Sequence, residues 1–264
     1  LPQFFKATGV LIVAGLIGVS INLSNLYHTY EYSKETMRGK SELKYEGAAA
    51  KQTSSGLNRD YITQWSYGIG ETFSLLVPNV KGGASVPLSR SEKAMEKANP
   101  MYSSLYSQLT QYFGDQPMTS GPVYVGAFVL MLFILGCFIV KGPMKWALLG
   151  ATIFSILLSW GKNFMGLTDF FIDYIPMYNK FRAVSSILVI AEFTIPLLAI
   201  LTLKEILTKP ELLKEKLKYI YISFGLTGGL ALLFAIAPRL FFPTYIPSNE
   251  MAALQNALPA DQLL

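Results

Sequence analysis

The chain has 264 residues, of which 52% are apolar and only 15% charged, against about 25% charged in an average soluble domain. Its mean hydropathy is +0.37 and its net charge +5, from 22 Lys+Arg against 17 Asp+Glu. One cysteine (Cys137) and one histidine (His28) exclude an internal disulfide, a cysteine zinc cluster, a multi-histidine metal site and paired-histidine catalysis. The apolar content excludes a disordered chain, and the small, scattered basic excess excludes a nucleic-acid surface.

A hydrocarbon core ~30 Å thick takes about 20 helical residues. Five stretches meet or approach that length: Ala7 to Leu26 (20 residues), Pro122 to Val140 (19), Trp146 to Gly161 (16), Ala183 to Leu203 (21, with Glu192 inside) and Tyr219 to Pro238 (20). They are continuous rather than alternating, which predicts helices and not barrel strands. The short third stretch has a buried or re-entrant segment as its alternative. The first is too long, and lacks the small-residue cleavage site, for a signal peptide. The expected fold is an all-α polytopic membrane protein with about five transmembrane helices and a large, partly helical extracytoplasmic loop. Its parts are helix one over 1–26, the loop over 27–121, helices two to five over 122–238, and an outer tail over 239–264.

Orientation follows from lysine and arginine in the short connections. Eight cations (Lys6, Lys141, Lys145, Lys204, Lys209, Lys214, Lys216 and Lys218) fall on one side if the helices alternate, and four (Lys162, Lys180, Arg182 and Arg239) on the other. That places the N-terminus inside and the long loop outside, as in a bacterial inner membrane. A chain that begins with Leu1 and closes on an external end after five helices is expected to be part of a longer polytopic protein.

Within the first helix and its extension, Asn22, Asn25 and His28 share one face, with Ser20 and Ser24 close by; interhelical hydrogen bonds or a substrate cavity would use them. The stretch from Ala48 to Asn58 is weakly hydrophobic and expected to be mobile. Asp60 is a plausible N-cap for the short helix DYITQWSYG, whose Trp65 and Tyr67 suit a membrane interface. Glu71 follows between glycines in GIGETF, and Gly82-Gly83 marks a turn. Ser91 caps SEKAMEKA. Leu105, Leu109 and Tyr112 or Phe113 then recur at helical spacing, which predicts an amphipathic helix on the membrane or the bundle; a sugar-stacking aromatic platform is the functional alternative.

The connection GKNFMGLTDFFIDYIPMYNKFR gathers Lys162, Asn163, Asp169, Asp173, Tyr174, Tyr178, Asn179, Lys180 and Arg182. Lys180 and Arg182 read as snorkelling anchors or as an anion site. In the second reading the first turn of helix four adds free N–H groups beside Ser185 and Ser186, and a lipid-linked phosphate is the ligand. Asp169 and Asp173 share a helix face and would pair with Lys162 or Lys180. Glu192 sits inside ILVIAEFTIP, where a charge costs about 2.5–3.5 kcal/mol; it is expected to face the bundle, near a kink at Pro196.

Several longer strings go beyond composition. NLYHTYEYSKETMRG, WSYGIGETFSLLVPN, YFGDQPMTSGPVYVGA, WGKNF and IPMYNKFRAVSSILVIAEF resemble the YfhO family of bacterial membrane proteins, in its Bacteroidota form, over nearly the whole chain. That family is similar to the GT-C glycosyltransferases, polytopic helical enzymes that take sugars from polyprenyl-phosphate donors on the extracytoplasmic face. The resemblance implies a GT-C-like fold, a lipid-linked sugar donor and a cell-envelope acceptor. Family members have many more helices than five, and this chain corresponds to a middle portion. The acid that GT-C enzymes carry in their first outer loop therefore has no assigned counterpart here; Glu71 and Asp115 are the outer-loop acids the chain offers.

Three functions are set against one another. A glycosyltransferase, or part of one, would use Glu71 or Asp115 as base, with Lys180 and Arg182 on the leaving phosphate, and Lys162, Trp65, Tyr67 and Tyr178 as further substrate contacts. No cofactor is expected, with a divalent metal as the alternative; the partners are a lipid-linked sugar donor, membrane lipids and the remainder of a longer chain. A lipid or polysaccharide transporter or flippase would need a continuous polar track through Glu192 and helix one. A non-catalytic scaffold would tie Lys180 and Arg182 to Asp169 and Asp173 and leave no cavity.

Overall fold

The computed structural model describes residues 2–36, 38, 39, 56–242 and 245. Among them the chain is all-helical: no strand forms, and the isolated backbone bridge joins Pro87 to Thr110. The helices are α1 (Pro2–Ile21), α2 (Leu23–Lys34), α3 (Arg59–Ile62), α4 (Glu92–Met95), α5 (Ser103–Gln108), α6 (Ala127–Ile139), α7 (Met144–Ser159), α8 (Met165–Tyr174), α9 (Val189–Thr208), α10 (Leu212–Glu215), α11 (Leu217–Phe224), α12 (Leu230–Ile236) and α13 (Pro238–Phe241). Most of the stretch expected to be mobile over 48–58, and most of the expected tail over 239–264, lies outside the described residues.

Three helical spans are long and apolar enough to cross a membrane: Pro2–Ile21, Val184–Thr208 and Leu217–Ile236. They mark a membrane-associated, multi-pass protein. The other two expected spans are helical but different. The second stretch yields only the 13 residues of α6, about 20 Å, because Pro122–Gly126 stays extended and Gly126 (φ 99°) opens the helix. The third, α7, is followed by a second helix, Gly161–Tyr174, at 108° to it, a broken span or a re-entrant turn. Gly161 makes that bend. Its φ is +45°, and a Cβ there would strike Ser66 and Val184.

The chain divides into two units. The first comprises Leu1–Ile62 and Phe171–Arg182. None of the residues of α1 is buried, and the helix breaks at Asn22 before α2, whose Tyr27, Tyr30 and Tyr32 are exposed. Asn22, Asn25 and His28 are likewise exposed rather than bonded to another helix. Asn58, not Asp60, caps α3: its Oδ1 accepts from the Asp60 N–H at 2.8 Å, and the helix lasts one turn instead of nine residues. Arg59 pairs with Asp173 at 2.7 Å, and the Leu57 N–H donates to the Asn179 carbonyl at 2.9 Å, so the two segments of this unit are tied at several points.

The second unit, Thr63–Phe170 with Ala183–Leu264, holds the helical bundle. α9 is its centre, packed by α6 and α7, and α11 lies against α6. Leu135, Leu188, Ala191, Ile195 and Leu198 form the heart of the core. Small and hydroxyl residues bring these helices close. A Cβ on Gly136 would collide with Thr202, and Thr152 and Thr194 share a hydrogen bond of 2.7 Å between α7 and α9. α9 runs through Pro196, and Glu192 lies on its exposed face, not toward the bundle as expected. Outside the bundle, Ser91 caps α4 as expected. The helix expected from Leu105 to Phe113 ends at Gln108. Residues 109–113 instead run extended beside 81–88, with Leu88 N–H to Leu109 O at 2.8 Å and Phe113 N–H to Lys81 O at 3.0 Å.

Candidate functional site

Residues 63–76 form a layer over one end of the bundle. The Tyr67 N–H donates to the Ser159 carbonyl at the end of α7 (2.8 Å), and the Ser185 N–H donates to the Trp65 carbonyl just before α9 (3.1 Å). Ser74 Oγ donates to the Val123 carbonyl ahead of α6 (2.8 Å), and the Phe73 ring meets Phe234 near the end of α12 at 5.1 Å. Four helix ends therefore meet under one layer, as antiparallel alternation requires. The lysine-bearing connections 140–145 and 204–218 leave from the other ends of these helices.

Glu71 is the hub of the layer. It is only 3% exposed, in a short 3₁₀ turn over Gly70–Leu75. Its Oε1 accepts from the Tyr112 hydroxyl; its Oε2 accepts from the N–H of Gly68 at 2.6 Å and of Asp115 at 3.2 Å. Tyr112 Oη in turn accepts from the Gln116 N–H at 2.9 Å. Glycine at 68 and 114 lets the backbone approach this carboxylate, since a Cβ at either position would collide with Glu71. Burial and the adjacent Glu71 push the Tyr112 phenol far above its usual range, and burial pushes Tyr67, whose hydroxyl bonds Ser74, up to about 12.

Asp115 stands at the open side of the hub. It is exposed; its Oδ2 accepts from Asn163 Nδ2 at 3.0 Å, and its carbonyl accepts from Lys162 Nζ at 3.0 Å. Asn163 also donates to the Tyr67 carbonyl at 3.0 Å, and the Lys162 N–H donates to Ser66 Oγ at 2.8 Å. Lys162 and Asn163 occupy the 3₁₀ turn right after the Gly161 bend, so that bend delivers them to the layer. Between Glu71, Tyr112, Lys81, Gln116 and Thr119 lies a cleft of ≈ 10 Å³, room for about one water.

Of the residues singled out from the sequence, Glu71, Asp115, Lys162 and Tyr67 come together here, with half-buried Trp65 joined through its carbonyl to Ser185. Tyr178, Lys180 and Arg182 belong to the other unit. There the Tyr178 ring meets Phe171 at 5.4 Å, and burial raises its phenol. Lys180 Nζ donates to the Arg38 carbonyl, and Arg38 Nε to the Lys180 carbonyl at 2.9 Å. The Arg182 guanidinium donates to Tyr61 Oη at 2.7 Å and lies over that ring. Neither expected partner of Asp173 takes it; Arg59 does. The first-turn N–H groups expected to be free for an anion are engaged at both serines, Ser185 with Trp65 and Ser186 with Ala183. The sequence does not single out Gln116 or Lys81 as site residues, and it offers Tyr112 only for an amphipathic helix or a sugar-stacking platform, not as a partner of Glu71. The spacing Tyr112-x-Gly114-Asp115, glycine beside acid as at Gly70-Glu71, is the signal that marks Tyr112.

No family model, curated protein or solved structure matches this chain.

Proposed function

We propose that this chain is a membrane-embedded, GT-C-like glycosyltransferase, or part of one, with Asp115 as its base. The observation that carries the reading is Asp115 itself: an exposed residue whose carboxylate accepts from Asn163, whose backbone N–H is fixed on the buried Glu71 and whose carbonyl accepts from the Lys162 ammonium, where four helix ends meet. In this reading an acceptor hydroxyl gives its proton to Asp115 as its oxygen bonds the anomeric carbon of a polyprenyl-phosphate sugar. The carbon–oxygen bond to phosphate breaks, and the phosphate leaves with the electron pair, steadied by a cation. Glu71 is the positioning residue beneath Asp115, because both its oxygens are already engaged.

The layer faces the extracytoplasmic side, with the lysine-rich connections in the cytoplasm of a bacterial inner membrane. The resemblance to the YfhO family supports this reading, in which the further helices of the family's GT-C-like fold belong to the remainder of a longer protein. Five crossings are reached if α6 and the α7–α8 pair also traverse the bilayer. The transport alternative needs a continuous polar track. The buried Thr152, Thr194 and Thr202 hydroxyls instead donate to carbonyls of their own helices or bond one another, and they serve as packing groups. The scaffold alternative has one observation in its favour, the narrowness of the cleft.

The test is transfer from a polyprenyl-phosphate sugar in membranes. Asp115→Asn should lower transfer about 100-fold or more, and Lys162→Ala less, with insertion unchanged. Transfer that persists in Asp115→Asn overturns Asp115 as the base, and absence of transfer by the unaltered chain favours the scaffold reading.

A further inference from the structure

Lys81 is a cation of the bundle unit that the proposed chemistry leaves unused. The pairing of 81–88 with 109–113 fixes its backbone next to Phe113. Its ammonium lies 4.3 Å from the centroid of the Phe242 ring and 5.2 Å from that of Phe113. Among the described residues it makes no hydrogen bond and no ion pair with an oxygen. It is half-buried, and that burial lowers its affinity for a proton while Asp115 and Glu71 work the other way. Glu71 is nevertheless no direct counter-ion, since its two oxygens are engaged by Tyr112, Gly68 and Asp115.

The two rings are part of a larger aromatic wall. Phe242 stacks on Phe234 at 5.7 Å, Phe234 meets Phe241 at 4.4 Å, and Phe113 meets Tyr245 at 5.3 Å. This wall closes the end of the apolar span Leu217–Ile236. Ile236, the last residue of that span, and Leu240, in the short α13 that follows it, are 72% and 75% exposed. A positive group that meets no oxygen among the described residues, set on rings at the end of an exposed apolar span, is complementary to a molecule with an anionic head and an apolar chain. A phosphate head suits it best, because several oxygens can meet the ammonium's three donors. The cleft toward Glu71 is too small to hold that head, so the half-buried ammonium meets it outside the cleft.

We propose that Lys81 and the Phe113–Phe242 wall bind the phosphate head of an anionic lipid whose chain lies along the apolar span Leu217–Ile236. This deepens the transferase reading, which it rests on only for the lipid's role as donor carrier. Lys81 then takes the phosphate role that the sequence assigned to Lys180 and Arg182.

The test is a titration of the full chain, purified in a zwitterionic detergent, with phosphatidic acid, and with phosphatidylcholine and inorganic phosphate as competitors. Phosphatidic acid should bind, with neither competitor displacing it at equal concentration. Lys81→Met should weaken it about tenfold, one charge-assisted contact, while Lys81→Arg stays within about threefold and the distant Lys97→Met is unchanged. Phe242→Leu, which keeps an apolar side chain, provides a second reading of the wall and should weaken binding as well. Full binding by Lys81→Met, an equal loss in Lys81→Arg, or displacement by inorganic phosphate overturns the proposal. None of these readouts needs turnover, so intact binding with failed transfer condemns only the transferase reading, and the reverse result only the lipid site.

Discussion

Glu71 shows how one residue can organise a site without meeting a ligand. Its carboxylate collects one phenol and two backbone N–H groups from two segments, its own turn at Gly68 and the loop 112–115, and at 3% exposure no water substitutes for it. Glu71→Ala should therefore cost about 3 kcal/mol or more, because it leaves several buried donors unpaired. Thermal unfolding in detergent measures the loss, and a change below 1 kcal/mol would contradict the hub. Gly114→Ala should destabilise by about 1–3 kcal/mol in the same assay, through collision with Tyr112 and Glu71. The phenols give a pH signature. Tyr67 holds its proton to about 12 in the folded chain, against about 10 when unfolded. The folded state thus binds more protons above pH 10, and stability falls as the pH rises from there toward 12; Tyr112 adds to the same trend. Absorbance titration should show a late-ionising tyrosine that Tyr67→Phe removes. The acids of this site were legible from residue type and loop position, whereas Tyr112 was not. Its place in a pattern of Leu105 and Leu109 looked helical, and only the pairing of 109–113 with 81–88 turned its ring toward Glu71.

At the scale of the helix, close packing rests on small residues. Gly136→Leu should separate α6 from α9 and cost about 1–3 kcal/mol by overpacking against Thr202. Ser223 offers the opposite sign. Its Oγ is buried and, among the described residues, lacks a hydrogen-bond partner, next to the π-helical turn Gly225–Gly229 within the last span. Ser223→Ala should stabilise by about 1 kcal/mol, since it removes a buried, unsatisfied hydroxyl and leaves a methyl in its place. A lower melting temperature in Ser223→Ala would mean that the hydroxyl has a function the bundle conceals. Hydropathy located the helices but not their ends. α6 lost Pro122–Gly126 because Val123 serves the loop layer as a carbonyl acceptor, a demand that hydropathy does not encode.

For the whole molecule, the measurable consequence is which side of the membrane each connection occupies. A single cysteine between Lys204 and Lys218, in a Cys137→Ser background, should resist an impermeant thiol reagent in intact cells, and a cysteine at Lys97 should react. The inverse pattern would reverse the orientation and move Asp115 to the cytoplasm. The length and continuity of its apolar runs, by themselves, pointed to a helical, membrane-associated chain, because a continuous apolar run in lipid satisfies its backbone amides within its own helix; among the described residues the chain is all-helical. Which polar residues meet was decided only by tertiary structure. Hydropathy is a sum over neighbours in sequence, whereas the Glu71 hub joins residues up to 44 positions apart, and Asp115 and Asn163 are 48 apart. That union depends on a bend at Gly161 and on an extended return past Lys81, and no local pattern of residues specifies either.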